Sequence, residues 1–158
     1  DNPILTTRGL KKIEPLRVVF TRTLDLPSKA KLWDTELSNT LVVYDSSTAN
    51  EGYLKRIPKN VDIEKVTSDE PNLLSQILAD KGCNKVLWEC GPKLATAAVK
   101  AGCIQEFITF VAPKIIGGEN GMNPFSDFEF KSMNEIMNLN LQEIKSISND
   151  IYLRSVMK

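Results

Sequence analysis

The stretch VLWECGPKLATAAVKAG, residues 86–102, decides how the rest of the chain is read. Val86, Leu87 and Trp88 form a short apolar run that reads as a buried strand over residues 85–89, of the kind found inside a parallel sheet. Gly91-Pro92 then breaks the run. Proline suits the first position of a helix, where its missing N–H would be unpaired anyway. A helix is therefore expected to Lys100, closed by Gly102. Ala95, Ala97, Ala98 and Ala101 leave it slim enough to lie close to a sheet. A strand that passes through a tight glycine turn into a helix is half of a βα unit, which makes the chain α/β.

Upstream, Leu73, Leu74, Ile77 and Leu78 share one face of a helix expected over residues 71–81, with Pro71 at its start and Gly82 at its stop. Downstream, residues 104–111 read as a strand. The order helix, Gly, Cys, strand thus occurs twice, around Gly82-Cys83 and Gly102-Cys103. Such short joints favour a parallel sheet centre. Further strands are expected over residues 16–20 and 40–44, a weaker one over 61–66, and a short helix over 48–57. Past Pro113, Gly117, Gly118 and Gly121 mark a loop, and residues 137–157 alternate like two strands joined near Ser148-Asn149-Asp150. The expectation is one α/β domain over residues 1–158. It has three layers, with a mainly parallel mixed sheet flanked by helices and finished by a C-terminal antiparallel hairpin.

Composition narrows the function. With 158 residues, 42% hydrophobic and 25% charged, the chain has the makeup of a globular domain with a proper core. Twenty basic and twenty acidic residues cancel without any basic cluster, which argues against nucleic acid and membrane surfaces as partners. There is no histidine, so Ser-His and Cys-His nucleophiles and imidazole metal sites are excluded. Cys83, Cys90 and Cys103 lack CxxC spacing and are odd in number, which fits neither a disulfide framework nor structural zinc. No apolar run approaches the roughly 20 residues of a membrane helix, and the first residues do not read as a signal peptide. A reducing, cytoplasmic setting is expected.

Ligands of α/β sheets collect at the carboxyl ends of strands, where helix N-termini offer unpaired amides and the positive end of a dipole. Residues 86–98 supply that arrangement. The amides of Lys93, Leu94 and Ala95 are expected to face an anion, and Gly91 to let it approach. Glu89, a carboxylate at the strand tip, would repel the same anion; it suits a neighbouring ligand group that donates a hydrogen bond. The residues alone leave a plainer reading open, in which this is an ordinary βα loop with Glu89 solvated.

The run of residues 86–102, followed by EFITFVAPKIIGG at 106–118, resembles the reductase domain of the riboflavin-biosynthesis deaminase-reductases. In that family a strand ends in Glu-Gly/Ala-Gly-Pro before a helix of small residues. DNPILTTR at 1–8, PLRVVFTRTLDLP at 15–27 and NDIYLR at 149–154 resemble its other segments, so the likeness runs over nearly the whole chain. It implies a sheet like that of dihydrofolate reductase. It also implies an NADPH-dependent reduction of the ribosyl group of 5-amino-6-(5-phosphoribosylamino)uracil to ribityl, and a homodimer. Carried over residue by residue, it makes Glu89 the catalytic, substrate-contacting carboxylate. Asp1, Thr21, Gly91, Pro92, Lys93, Leu94, Ala95, Thr96 and Ala97 become cofactor residues, and Leu5 and Arg8 substrate residues, with Arg8 as a fork for the substrate phosphate.

The chain departs from the family in three ways. Cys90 stands where Gly or Ala is usual and reads as a buried, inert thiol. The zinc-deaminase signature is absent. The strand and helix that precede the Asp-Asp-Pro segment in the family are not in the sequence, which motivates a second reading: a reductase-like domain serving assembly or ligand binding without turnover. Gly117-Gly118 is either a border of the site or a plain connecting turn. Trp33 and Tyr44 read as packing residues, and Ser68-Asp69-Glu70 as a helix start.

Overall fold

β-Branched and aromatic side chains at 18–20 and 42–44 favour extended backbone. They form the first two strands of a parallel sheet: β1, Arg17–Thr21, and β2, Thr40–Asp45. β3, Asp62–Val66, completes it in the order β1-β2-β3. The computed structural model describes residues 2–115 and 123–158, so Gly117, Gly118 and Gly121 lie outside the described residues. The chain divides into two compact units, Asp1–Asp69, which carries this sheet, and Glu70–Lys158.

In the first unit β2 is paired on both sides, Leu41 lying opposite Val18 and Asp62, and is buried throughout. That is the condition of a central parallel strand. The connections between the strands carry 3-10 turns, Lys31–Trp33 and Glu51–Arg56. The helix expected over 48–57 takes this tighter form, started by the Asn50 side chain accepting from the Gly52 amide at 3.0 Å. Val42 and Tyr44, on one face of β2, pack with Leu24, Ile57 and Val61, and Trp33 and Tyr53 close over them. Trp33 and Tyr44 are thus packing residues. The Trp33 indole donates to the Pro27 carbonyl at 2.8 Å and the Tyr44 hydroxyl to Glu51 at 3.0 Å, so neither leaves a polar group unpaired.

The second unit begins with α1, Pro71–Asp80, and α2, Pro92–Lys100. Both start on proline, and both end in the same double bond pattern. After α1 the Gly82 amide donates to the Ala79 carbonyl and the Cys83 amide to Leu78; after α2 the Gly102 amide donates to Val99 and the Cys103 amide to Ala98. These are Schellman caps, and they need a residue at positive φ, which Gly82 (83°) and Gly102 (70°) supply. The repeated Gly-Cys of the sequence is therefore a repeated helix stop.

One expected element does not form. Residues 85–90 have no regular structure, and Leu87 is 79% exposed. A run of three apolar residues specifies no hydrogen-bonded neighbour, and none pairs with it among the described residues. The parallel sheet is built upstream instead. β4, Glu106–Val111, joins an antiparallel sheet of order β4-β6-β5 with β5, Leu139–Ile147, and β6, Asp150–Met157. The C-terminal hairpin turns through Ser148 and Asn149 between the paired Ile147 and Asp150, with Ser148 at φ 55°. A mixed α/β fold with parallel and antiparallel sheets and few helices is the result.

Leu24 is 1% exposed although its φ is 59°, a conformation disfavoured for leucine. Burial outweighs that strain, so Leu24→Ala is expected to lose about 2–5 kcal/mol of stability. Urea unfolding followed through Trp33 fluorescence, with Trp88 replaced by Phe, checks this.

Candidate functional site

At the N-terminus of α2 the backbone follows from the sequence. Gly91 is the N-cap and its carbonyl accepts the Ala95 amide at 3.0 Å, the first bond of the helix. Ala95 is thus spent within the helix, which corrects the expectation that its amide faces an anion. Pro92 has no N–H to offer. The amides of Lys93 and Leu94 have no acceptor among the described residues, and no side chain caps them. Two donors at the positive end of a helix dipole are suited to a phosphate.

Gly91 itself sits at φ −72°, which any residue adopts, and a Cβ there would meet no atom of the described residues within 4 Å. Nothing among the described residues calls for glycine at this point. The missing side chain leaves the amides open to approach from outside, which fits a phosphate-bearing cofactor. Glu89 is exposed, two residues before the helix cap. The Cys90 thiol is pushed up from its ordinary pKa by burial, in keeping with an unreactive cysteine, and all three cysteines are free.

The following turn of α2 is used internally. Thr96 is 5% exposed; its hydroxyl donates to the Ser126 carbonyl at 3.3 Å and accepts the Ser126 amide at 2.8 Å. The same amide lies 3.3 Å from the Pro92 carbonyl. Thr96, read from sequence as a cofactor residue, therefore gives its hydroxyl to the fold, pinning residues 123–130 to the helix. A chain of aromatic contacts continues that attachment from Phe107 on β4 to Phe125, Phe128 and Phe130, with centroid separations of 6.0, 5.7 and 5.2 Å. Ala97, on the next position, is half-buried, and Ala98 is fully buried.

In the first unit, Leu5 and Arg8 lie on a strap that precedes β1, and both have positive φ, 53° and 51°. Arg8 is exposed and has no ion-pair partner among the described residues. Asp1 lies outside the described residues. Arg17, which sequence reasoning passed over, holds the strap in place. Although only 1% exposed, it donates to the carbonyls of Ile4 (3.3 Å), Asp34 (2.5 Å) and Ser38 (2.5 Å). Burial pulls the guanidinium pKa down, and the carboxylates of Asp34 and Glu14 pull it back up. The only sequence signal was a charge at the mouth of an apolar strand. A depression of about 410 Å³ beside the strap is lined by Glu14, Thr35, Glu36 and Ser38 among others. Its two carboxylates make it unsuited to phosphate.

Thr21 and Asp45 end neighbouring parallel strands. The Thr21 hydroxyl oxygen accepts the amides of Thr23 (3.3 Å) and Leu24 (3.2 Å), so it shapes the turn after β1, while its own hydrogen has no acceptor among the described residues. Asp45 was missed altogether. It is 3% exposed, and its carboxylate accepts from the Ser47 hydroxyl at 2.7 Å, the Ser47 amide at 2.9 Å and the Thr48 hydroxyl at 3.2 Å. The Ser47 hydroxyl foremost, then the Ser47 amide, hold its carboxyl below the ordinary value of 3.8. The signal was present as Asp-Ser-Ser-Thr at a strand end, a side-chain-bonded turn.

The native pKa of Asp45 being lowered, its contribution to stability is full above the unfolded value and is lost as pH falls through the native one. Asp45→Asn is expected to be less stable than wild type near neutrality, the gap closing in strongly acid solution. Urea unfolding across that range would show it. Thr96→Val, which leaves the Ser126 amide only its longer bond to the Pro92 carbonyl, is expected to cost about 0.5–1.5 kcal/mol, with faster hydrogen exchange at Ser126.

The family model described as RibD C-terminal domain matches residues 1–153. The riboflavin biosynthesis protein RibD of Synechocystis sp. is 37% identical over 152 residues, which are 95% of this chain and 41% of that protein. The chloroplastic riboflavin biosynthesis protein PYRR of Arabidopsis thaliana is 34% identical over 139 residues, 88% of this chain and 23% of that protein. The chain thus spans less than half the length of these relatives. Among solved structures, Acinetobacter baumannii RibD covers 100% of the chain with 44% of its own, at a TM-score of 0.80 and 24% identity. A Thermotoga maritima diaminohydroxyphosphoribosylaminopyrimidine deaminase/5-amino-6-(5-phosphoribosylamino)uracil reductase covers 100% with 42% of its own, at 0.76 and 19% identity. At these identities the structures establish the shared fold. Among the described residues, no helix is long and apolar enough to cross a membrane, and no cluster of Cys, Asp and Glu is disposed to hold a metal.

Proposed function

The chain belongs to the RibD C-terminal domain family, and on that premise we propose that it is an NADPH-dependent reductase of riboflavin biosynthesis. Its substrate on this reading is 5-amino-6-(5-phosphoribosylamino)uracil, whose ribosyl group becomes ribityl. The observation that carries the reading is the first turn of α2, where two amides, Lys93 and Leu94, have no acceptor among the described residues and stand beside a glycine that the packing of those residues does not require. The nicotinamide cofactor supplies the hydride that reduces the sugar C1′.

The chain's own residues bind and orient. The amides of Lys93 and Leu94 donate to cofactor phosphate oxygens, and Gly91 and Pro92 keep that approach unobstructed. Ala95 and Ala97 add little bulk along the helix, and Thr96 fixes its wall by holding Ser126. The resemblance carries Thr21 and Asp1 over as further cofactor contacts, and the Thr21 hydroxyl hydrogen has no acceptor among the described residues. Arg8 pairs with the substrate phosphate through its forked donors, beside Leu5. Glu89, exposed and acceptor-only when ionised, takes the amine and ring N–H groups of the uracil and orients the ribosyl carbon for hydride. Two copies pair as a homodimer, as the resemblance implies.

Two substitutions separate these roles. Gly91→Val is expected to weaken NADPH binding at least about tenfold by blocking approach to the amides, measured by calorimetry. Glu89→Gln is expected to leave that affinity in place and to depress NADPH oxidation with the ribosylamino compound. The reverse pattern overturns the assignment, and a chain that binds neither NADPH nor NADH overturns the reductase reading.

A further inference from the structure

We propose that Glu14 is a positioning residue for Arg8, holding the turn that presents the guanidinium to the phosphate of a phosphorylated substrate. This rests on the reading of Arg8 given above. The turn is formed by Thr7, Arg8, Gly9 and Leu10, and is closed by the Leu10 amide donating to the Thr7 carbonyl at 3.0 Å. Its two central residues, Arg8 and Gly9, have φ of 51° and 79°. Paired positive φ values are natural to Asn-Gly and Gly-Gly; for arginine they are strained, and such strain survives only where the surroundings hold it.

Glu14 is what holds it. One carboxylate oxygen accepts the Thr7 amide at 2.6 Å and the other accepts the Thr7 hydroxyl at 2.6 Å, so both are spent on the residue that opens the turn. The same two bonds, the hydroxyl first, draw the carboxyl below its ordinary pKa, so it remains a charged acceptor. The cation facing Glu14 is Arg17, while Arg8 makes no ion pair among the described residues. The strap has two more fastenings, the Asn2 side chain accepting the Lys31 amide at 2.8 Å and the Ile4 carbonyl accepting from Arg17 at 3.3 Å. Asn2, Ile4 and Thr7 are therefore tied down at intervals, and the residues between and beyond them, Leu5 and Arg8, are presented. A carboxylate that fixes the backbone of an arginine without neutralising its side chain leaves that charge to an external anion.

The test is calorimetric binding of 5-amino-6-(5-phosphoribosylamino)uracil, and of its analogue lacking the phosphate, to the full chain and its variants. Arg8→Ala is expected to weaken binding of the phosphorylated compound about tenfold or more, and Glu14→Ala about tenfold, the scale of a lost charged hydrogen bond. Neither is expected to alter binding of the analogue. Glu14→Gln, which can accept the Thr7 amide and donate to the Thr7 hydroxyl, recovers most of the affinity, and Glu14→Ala added to Arg8→Ala costs nothing further. Thr7→Val, which keeps the fold's shape while removing one clamp bond, repeats the effect in weaker form should Glu14→Ala unfold. If Arg8→Ala weakens binding and neither Glu14→Ala nor Thr7→Val does, or if they weaken both compounds alike, the positioning role is wrong while the reading of Arg8 stands. If Arg8→Ala changes nothing, or wild type does not bind, that reading fails and takes this inference with it.

Discussion

The first unit depends on one buried guanidinium. Arg17 is taken almost wholly out of water at the foot of β1, and the desolvation of a charge is costly unless its donors are satisfied. Three backbone carbonyls meet it, from the strap at Ile4 and from Asp34 and Ser38 on the connection to β2, while its Nε finds no acceptor among the described residues. Carbonyls fixed at such short range cannot drift without exposing the charge to an unpaired interior. The strap, the β1–β2 connection and the strand are thereby made to fold together, and Leu5 and Arg8 inherit their places from that constraint.

The second unit is organised by its helix ends. α1 and α2 each begin on proline and finish on a glycine-bearing Schellman cap, so both helices have fixed lengths and directions. At the far end of α2 this leaves two amides without partners among the described residues, and the reciprocal bond between Thr96 and Ser126 stiffens the turn that carries them. Function and fold divide the helix between them: the first turn is open, the second is occupied. Glu89 falls outside that division, exposed on backbone with no regular structure.

Features governed by local chemistry were legible in the sequence. Proline starts and glycine stops bounded both helices to within a residue, and alternation with a polar turn near Ser148-Asn149-Asp150 found the C-terminal hairpin. Features governed by partners were not. Val86, Leu87 and Trp88 have the composition of a strand, but a strand is a relation between two backbones, and no ladder forms there. The burial of Arg17 and the bond from Thr96 to Ser126 were not foreseen for the same reason: a side chain's destination depends on which carbonyls the fold brings to it. Glu14 and Thr7 are seven residues apart, and Glu14 lies between the segments at 1–8 and 15–27, so their bond was invisible before the turn between them was known.

The central claim is that the opening turn of α2 takes the phosphate of a nicotinamide cofactor. It is tested most directly by following backbone amide resonances of the isotopically labelled chain as NADPH is added. The account predicts saturable shifts largest at Gly91, Lys93 and Leu94, with the amide of Ala95, already bonded to Gly91, moving much less. Saturation by NADPH that leaves the Lys93 and Leu94 amides unmoved would contradict it.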